Sequence, residues 1–133
     1  MDNTLYPSGE WVGYYTYQAK PTKCPMHLTL NFAQGTIQGA GIDSSGQFVI
    51  EGIYDDMNFR VNWAKRYVDK RSVEYEGTYR DGEITGSWSL TQNHQGRVAS
   101  TNGDFRVWPL PAEQYGDDEL LQSILEKEIR RKT

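Results

Sequence analysis

The sequence predicts an all-β fold: an eight-stranded antiparallel up-and-down β-barrel followed by one C-terminal α-helix. Three observations carry that prediction. Nine Tyr, four Trp and thirteen Gly in 133 residues combine strand-favouring rings with residues that mark bends and close approaches. Short runs alternate with turn signals from Glu10 to Trp108. An apolar face recurs with a period of two, clearest at Met26, Leu28, Leu30 and Phe32.

The first run is Trp11 to Tyr17, closed by the polar stretch around Lys20-Pro21-Thr22. The second is Met26 to Phe32, turned by Gln34-Gly35 into a third, Thr36 to Ile42. Asp43-Ser44-Ser45-Gly46 is a strong turn, because Asp, Ser and Gly each favour turn dihedrals for their own reasons. Gln47 to Tyr54, Asn58 to Arg66 and Ser72 to Tyr79 follow as strands four to six. Asp81-Gly82 between two alternating runs is the clearest hairpin signal and leads into the seventh, Glu83 to Leu90. A polar loop, Gln92 to Asn102, precedes the eighth, Asp104 to Trp108. Tight connections make sequential neighbours pair as a meander, and closing the meander removes its exposed edges.

The barrel is expected over residues 1–111 and the helix over 112–133. Asp117-Asp118-Glu119 opens the helix and Arg130-Arg131-Lys132 closes it, as the macrodipole favours. Leu120, Leu121, Ile124, Leu125 and Ile129 form one stripe, to be covered by the barrel or by a partner chain.

A net charge of -4 argues against nucleic acid or an anionic membrane as partner. No apolar run approaches the roughly 20 residues that span a bilayer. The first residues, Met1-Asp2-Asn3-Thr4-Leu5, lack signal-peptide features, so a cytoplasmic protein is expected. Cys24 has no second cysteine to pair with and reads as an idle loop thiol or one activated by Lys23. His27, with outward parity, and His94, in the polar loop, leave no metal spacing; no metal or cofactor is expected. No nucleophile elbow or phosphate-cradling loop is present, so an enzyme is the weaker reading.

A Gly-x-aromatic unit recurs at Gly9-Glu10-Trp11, Gly13-Tyr14-Tyr15, Gly52-Ile53-Tyr54, Gly77-Thr78-Tyr79 and Gly86-Ser87-Trp88. Each places a vacancy beside a ring on one face, either filled by a neighbour or left for a ligand. Gly9-Glu10-Trp11 resembles the Gly-x-Trp signature of the calycin superfamily. Gly39, Gly52 to Asp55, Val61-Asn62-Trp63, Ser72 to Tyr79 and Ile84 to Leu90 are similar to the avidin and streptavidin pattern. The resemblance implies a barrel that holds a small molecule and oligomerises through its outer wall. It implies Arg106 stacking on Trp11 at the closed end as a structural pair. It does not carry over the biotin site. Gly13 and Gly41 stand where polar side chains would hold the ureido group, and Arg71 and Val73 where hydroxyls would. Trp63 and Trp88 keep two places of the tryptophan wall and Tyr75 replaces a third.

Counting in twos gives the candidate ligand-binding set: Tyr15, Tyr17, Asp43, Trp63, Lys65, Tyr75 and Trp88. The rings suit a flat, partly apolar ligand. Asp43 and Lys65 either snorkel to the rim or turn inside, to pair with each other or with a charged ligand group. Arg66, Lys70 and Arg71 form a basic cluster, a solvated loop or an anion-binding rim. Three functions remain: a small-molecule-binding barrel with an open interior of a few hundred Å3, a filled barrel working through its outer wall (Val12, Tyr14, Val49, Ile53) or its helix, and a calycin-like isomerase or cyclase.

Overall fold

The computed structural model describes residues 6–20, 22–68, 71–94 and 96–110. Eight strands follow in chain order: β1 (Gly9–Tyr15), β2 (Cys24–Ala33), β3 (Thr36–Asp43), β4 (Gly46–Asp55), β5 (Arg60–Tyr67), β6 (Ser72–Arg80), β7 (Glu83–His94) and β8 (Arg97–Pro109). Each pairs antiparallel with the next, and β8 returns to β1, closing the barrel. The expected helix over 112–133 lies outside the described residues. Among the described residues no helix is long and apolar enough to cross a membrane.

Two tight turns follow from backbone requirements. Gln34-Gly35 has φ of 52° and 83°, and Asp81-Gly82 has 54° and 80°. Positive φ at both central residues is the hairpin geometry whose twist matches the flanking strands.

The polar stretch from Gln92 to Asn102 is not a loop. The β7–β8 ladder continues unbroken through it to His94 opposite Arg97. Thr91, Ser100, Thr101 and Asn102 are exposed, so the extension leaves the apolar periodicity behind while its backbone hydrogen bonds persist. Periodicity reports burial, not pairing.

The alternation sorts the side chains as expected. Trp11, Leu28, Leu30, Ile37, Ile50, Val61, Val73, Ile84 and Val107 are all buried in one core. At one end Tyr6 enters from before β1 and plugs the barrel, its ring 5.2 Å from Phe32, 5.0 Å from Tyr54 and 5.0 Å from Tyr79. Trp11 donates its indole N–H to the Pro7 carbonyl at 2.8 Å, tying the same segment down. Above this, Trp63, Tyr75 and Phe105 interlock at centroid distances of 4.9–5.6 Å.

The vacancies at Gly13, Gly52, Gly77 and Gly86 are filled, since a Cβ on any of them would lie within 2.7 Å of a neighbouring strand. A Cβ on Gly41 would lie 2.6 Å from the Phe48 ring and 2.3 Å from the His27 carbonyl oxygen. Among the described residues the interior is packed by these side chains, and the cavity found at its open end encloses about 40 Å3 rather than a few hundred.

Arg106 does not stack on Trp11. Its register partners are Tyr14 and Thr85, so it points outward while Trp11 points in. Its guanidinium instead donates twice to Glu83, at 2.6 and 2.9 Å. On the same outer face Val12, Trp108 and Leu110 pack together with Tyr14.

Candidate functional site

The end of the barrel opposite Tyr6 carries the chemistry. β3 ends at Asp43, where the turn begins, and the Asp43 carboxylate bends inward rather than to the rim. One oxygen accepts the Ser45 N–H at 2.8 Å, which holds the turn. The other accepts Lys65 Nζ and the Tyr67 hydroxyl, each at 2.6 Å. The side chains of Lys65 and Asp43 are 1% and 0% exposed. A buried pair of this kind persists because each charge is neutralised and hydrogen-bonded at close range.

Lys65 also donates to the Tyr75 hydroxyl at 3.0 Å and approaches Met26 Sδ at 3.7 Å. Its ammonium lies 4.6–5.4 Å from the ring centroids of Tyr15, Phe48, Tyr67 and Tyr75. An ammonium among ring faces gains cation–π attraction that partly replaces lost hydration. Burial still pulls Lys65 below the usual lysine range, against the opposing charge and hydrogen bond of Asp43.

The phenols shift the other way. Burial, with the Asp43 charge second, pushes Tyr15 up to about 12. Burial raises Tyr67, whose hydroxyl is further held protonated by donating to Asp43. Burial also raises Tyr75 well above the ordinary phenol value. All three are neutral donors at physiological pH.

Above this network lies a cavity of about 40 Å3, lined by Tyr15, Tyr17, Tyr67, Tyr75 and Trp88, with Ser45, Arg71, Val73 and Leu90 completing the wall. That volume holds about three waters. Tyr17, past the end of β1, is 38% exposed and stands edge-on to Trp88 with centroids 5.1 Å apart. Trp88 is itself fixed by donating to the Thr16 carbonyl at 2.9 Å.

Of the sequence-predicted residues, Tyr15, Tyr17, Tyr75 and Trp88 line this cavity, and Asp43 and Lys65 form the network touching Tyr75 and Tyr67. Trp63 is a layer deeper, stacked on Tyr75 at 5.6 Å, and does not line it. Tyr67, Ser45, Val73 and Leu90 were missed. Tyr67 continues the inward set 61, 63, 65 by one step, so extending β5 past Arg66 would have found it. Arg71, from the basic cluster, stacks on the Tyr67 ring at 4.7 Å. Cys24 sits in β2, not a loop, and burial raises its thiol, so Lys23 does not activate it. Among the described residues no three His, Cys, Asp or Glu side chains converge on a metal position. His27 and Glu10 instead bond each other on the outer face.

Solved structures share this architecture. The apo form of bradavidin2 is similar over 80% of this chain and 100% of its own, with a TM-score of 0.57 at 15% identity. The fold is that of the avidin-like barrels. The bradavidin2–biotin complex gives the same coverage, TM-score and identity. The rhizavidin–biotin complex gives a TM-score of 0.56 at 13% identity, over 84% of this chain and 98% of its own. At these identities the likeness is one of fold. No family model and no curated protein matches the chain. Within this avidin-like barrel, Gly41 offers no place for a polar side chain, since the Phe48 ring occupies the space a Cβ would need.

Proposed function

We propose that this avidin-like barrel binds a small, flat, partly apolar molecule at its open end. The observation that carries the reading is the cavity where ring packing stops, walled by four tyrosines and Trp88 above a satisfied ionic floor. Such a lining pairs apolar faces with a few fixed polar groups, the pattern of ligand sites. Because only about 40 Å3 is enclosed, a ring-sized ligand seats partly in the mouth, against Tyr17 and Leu90, or displaces them. The shared fold of bradavidin2 and rhizavidin, whose solved complexes hold biotin, supports a binding barrel in kind. Biotin is a poor fit here, since Gly13 and Gly41 present no side chain at the barrel wall.

The test is calorimetric titration of the chain with 2-acetylnaphthalene, a flat bicyclic ketone, beside native mass spectrometry of the protein isolated from its own host. One saturable equivalent is expected, weakened at least tenfold by Leu90→Trp, which plugs the mouth from the rim. Binding that ignores Leu90→Trp, or no binding of the probe and no co-purifying small molecule, would sink the reading.

A second reading concerns the outer wall of β3–β5. Ile42, Val49 and Val68 are 47%, 52% and 79% exposed and line one open groove, with Ile53, 59% exposed, farther along β4. Clustered exposed aliphatics mark interaction surfaces, and self-association through this wall is compatible with a ligand at the mouth. Sedimentation should show a multimer that Val49→Lys reduces to single chains; a wild-type chain sedimenting as a monomer removes the idea.

A further inference from the structure

The floor of the mouth holds a donor that finds no acceptor among the described residues. Tyr75 is 3% exposed and lines the cavity. Its hydroxyl oxygen accepts from Lys65 Nζ at 3.0 Å, and among the described residues its own O–H finds no acceptor. The neighbouring groups are committed elsewhere. An ammonium has three protons, and Lys65 directs them to Asp43, Tyr75 and Met26. Both Asp43 oxygens are taken, one by Ser45 and the other by Lys65 and Tyr67. The ammonium is thus saturated and cannot itself meet a ligand. What it does is polarise Tyr75. A hydroxyl that accepts from a cation becomes a stronger donor, because successive hydrogen bonds reinforce one another in a low-dielectric interior.

We propose that the Tyr75 hydroxyl, polarised by Lys65, is the hydrogen-bond donor that orients the ligand, and that the ligand is a flat aromatic molecule carrying a hydrogen-bond acceptor such as a carbonyl oxygen. The inference rests on the mouth being the binding site. It selects within that reading: an acceptor gains a bond at the floor, a hydrocarbon gains only ring contact, and an ammonium meets a donor backed by a like charge. Lys65 is a positioning residue here, acting through Tyr75.

Three probes of matched shape separate these cases: 2-acetylnaphthalene, 2-ethylnaphthalene and 1-(2-naphthyl)ethylammonium, each titrated calorimetrically into the full chain and into Tyr75→Phe. In the wild type the ketone is expected to bind at least tenfold tighter than the hydrocarbon, with the ammonium weakest. Tyr75→Phe should bring ketone and hydrocarbon within about threefold while leaving the hydrocarbon unchanged, a tenfold step being worth about 1.4 kcal/mol. Since Tyr75→Phe also strips Lys65 of an acceptor and can cost folding, a second measurement uses the wild type alone. The carbonyl stretch of bound 2-acetylnaphthalene should move to lower wavenumber than in hydrocarbon solvent. Equal affinities for ketone and hydrocarbon, preference for the ammonium, discrimination that survives Tyr75→Phe, or an unshifted carbonyl stretch would each overturn the inference and leave mouth binding intact. Failure of all three probes overturns both.

Discussion

Replacing Lys65 by methionine removes the cation and keeps most of the side-chain volume, so it isolates the charge. The Asp43 side chain is 0% exposed and would keep only the Tyr67 hydroxyl and the Ser45 N–H as partners. Breaking a buried ion pair on one side costs about 3–5 kcal/mol, most of it the penalty for the stranded charge. With a urea slope of about 2 kcal/mol per molar, the midpoint should fall by roughly 2 M. Asp43→Asn alone should cost a similar amount, since it leaves the ammonium with a neutral acceptor. The double variant Asp43→Asn/Lys65→Met removes both charges and retains an oxygen for Tyr67. It should recover at least half of the loss, a coupling of about 2 kcal/mol or more. Equilibrium urea unfolding followed by tryptophan fluorescence gives all four midpoints. If Lys65→Met costs under about 1 kcal/mol, or the two single losses simply add, the pair is not the buried, coupled element described above.

Alkaline pH should unfold the barrel. Tyr6 and Tyr15 are pushed up to about 12, and Tyr67 and Tyr75 are raised as well. Between about 10 and 12 the unfolded chain loses these protons and the folded one keeps them, so stability present below pH 10 is lost as pH rises, by about 1.4 kcal/mol per pH unit for each phenol. Lys65, shifted downward, works in the opposite sense, but it is one group against four. Tyrosinate absorbance should show Tyr6, Tyr15, Tyr67 and Tyr75 losing their protons only as the barrel opens; all nine tyrosines titrating together in a folded barrel would refute this. Gly41→Ala puts a methyl 2.6 Å from Phe48 and 2.3 Å from the His27 carbonyl, and thermal unfolding should register a loss of about 1–3 kcal/mol; no loss would show that β2 and β3 yield locally. Arg106→Ala removes the outer pair with Glu83, partly exposed on both sides, together with a hydrogen bond to Tyr14, and should cost about 1 kcal/mol; a loss several times larger would restore a core role for Arg106.

What the sequence made legible was whatever a period of two encodes. The inward set from Trp11 to Val107, the eight strands and the inward parity of Asp43 and Lys65 all came from counting in twos, because burial on one face is the cause of that period. Three things escaped it. In the β7–β8 extension Thr91, Val98, Ser100, Thr101 and Asn102 are exposed, so a hydrogen-bonded ladder reads as a loop. Arg106 was placed by resemblance against its own parity, and parity was the better guide. Trp63 and Tyr75 share a face and a stack, yet only Tyr75 reaches the cavity. Depth along the barrel axis depends on the stagger between strands, which alternation does not record.

The seam between β1 and β8 sets the order in which this molecule can assemble. Every other pair joins neighbours along the chain, while the seam brings Trp11 beside Pro109. Closing a loop of about 100 residues rather than about 10 costs roughly 2 kcal/mol more in chain entropy, and local pairings form first where topology allows. The seam is therefore the last to zip. During synthesis it waits for β8 to leave the ribosome, and until then β1 stands as an open edge. The Val12–Trp108–Leu110 cluster then acts as a clasp outside the junction, with Trp11 and Val107 gripping it from within.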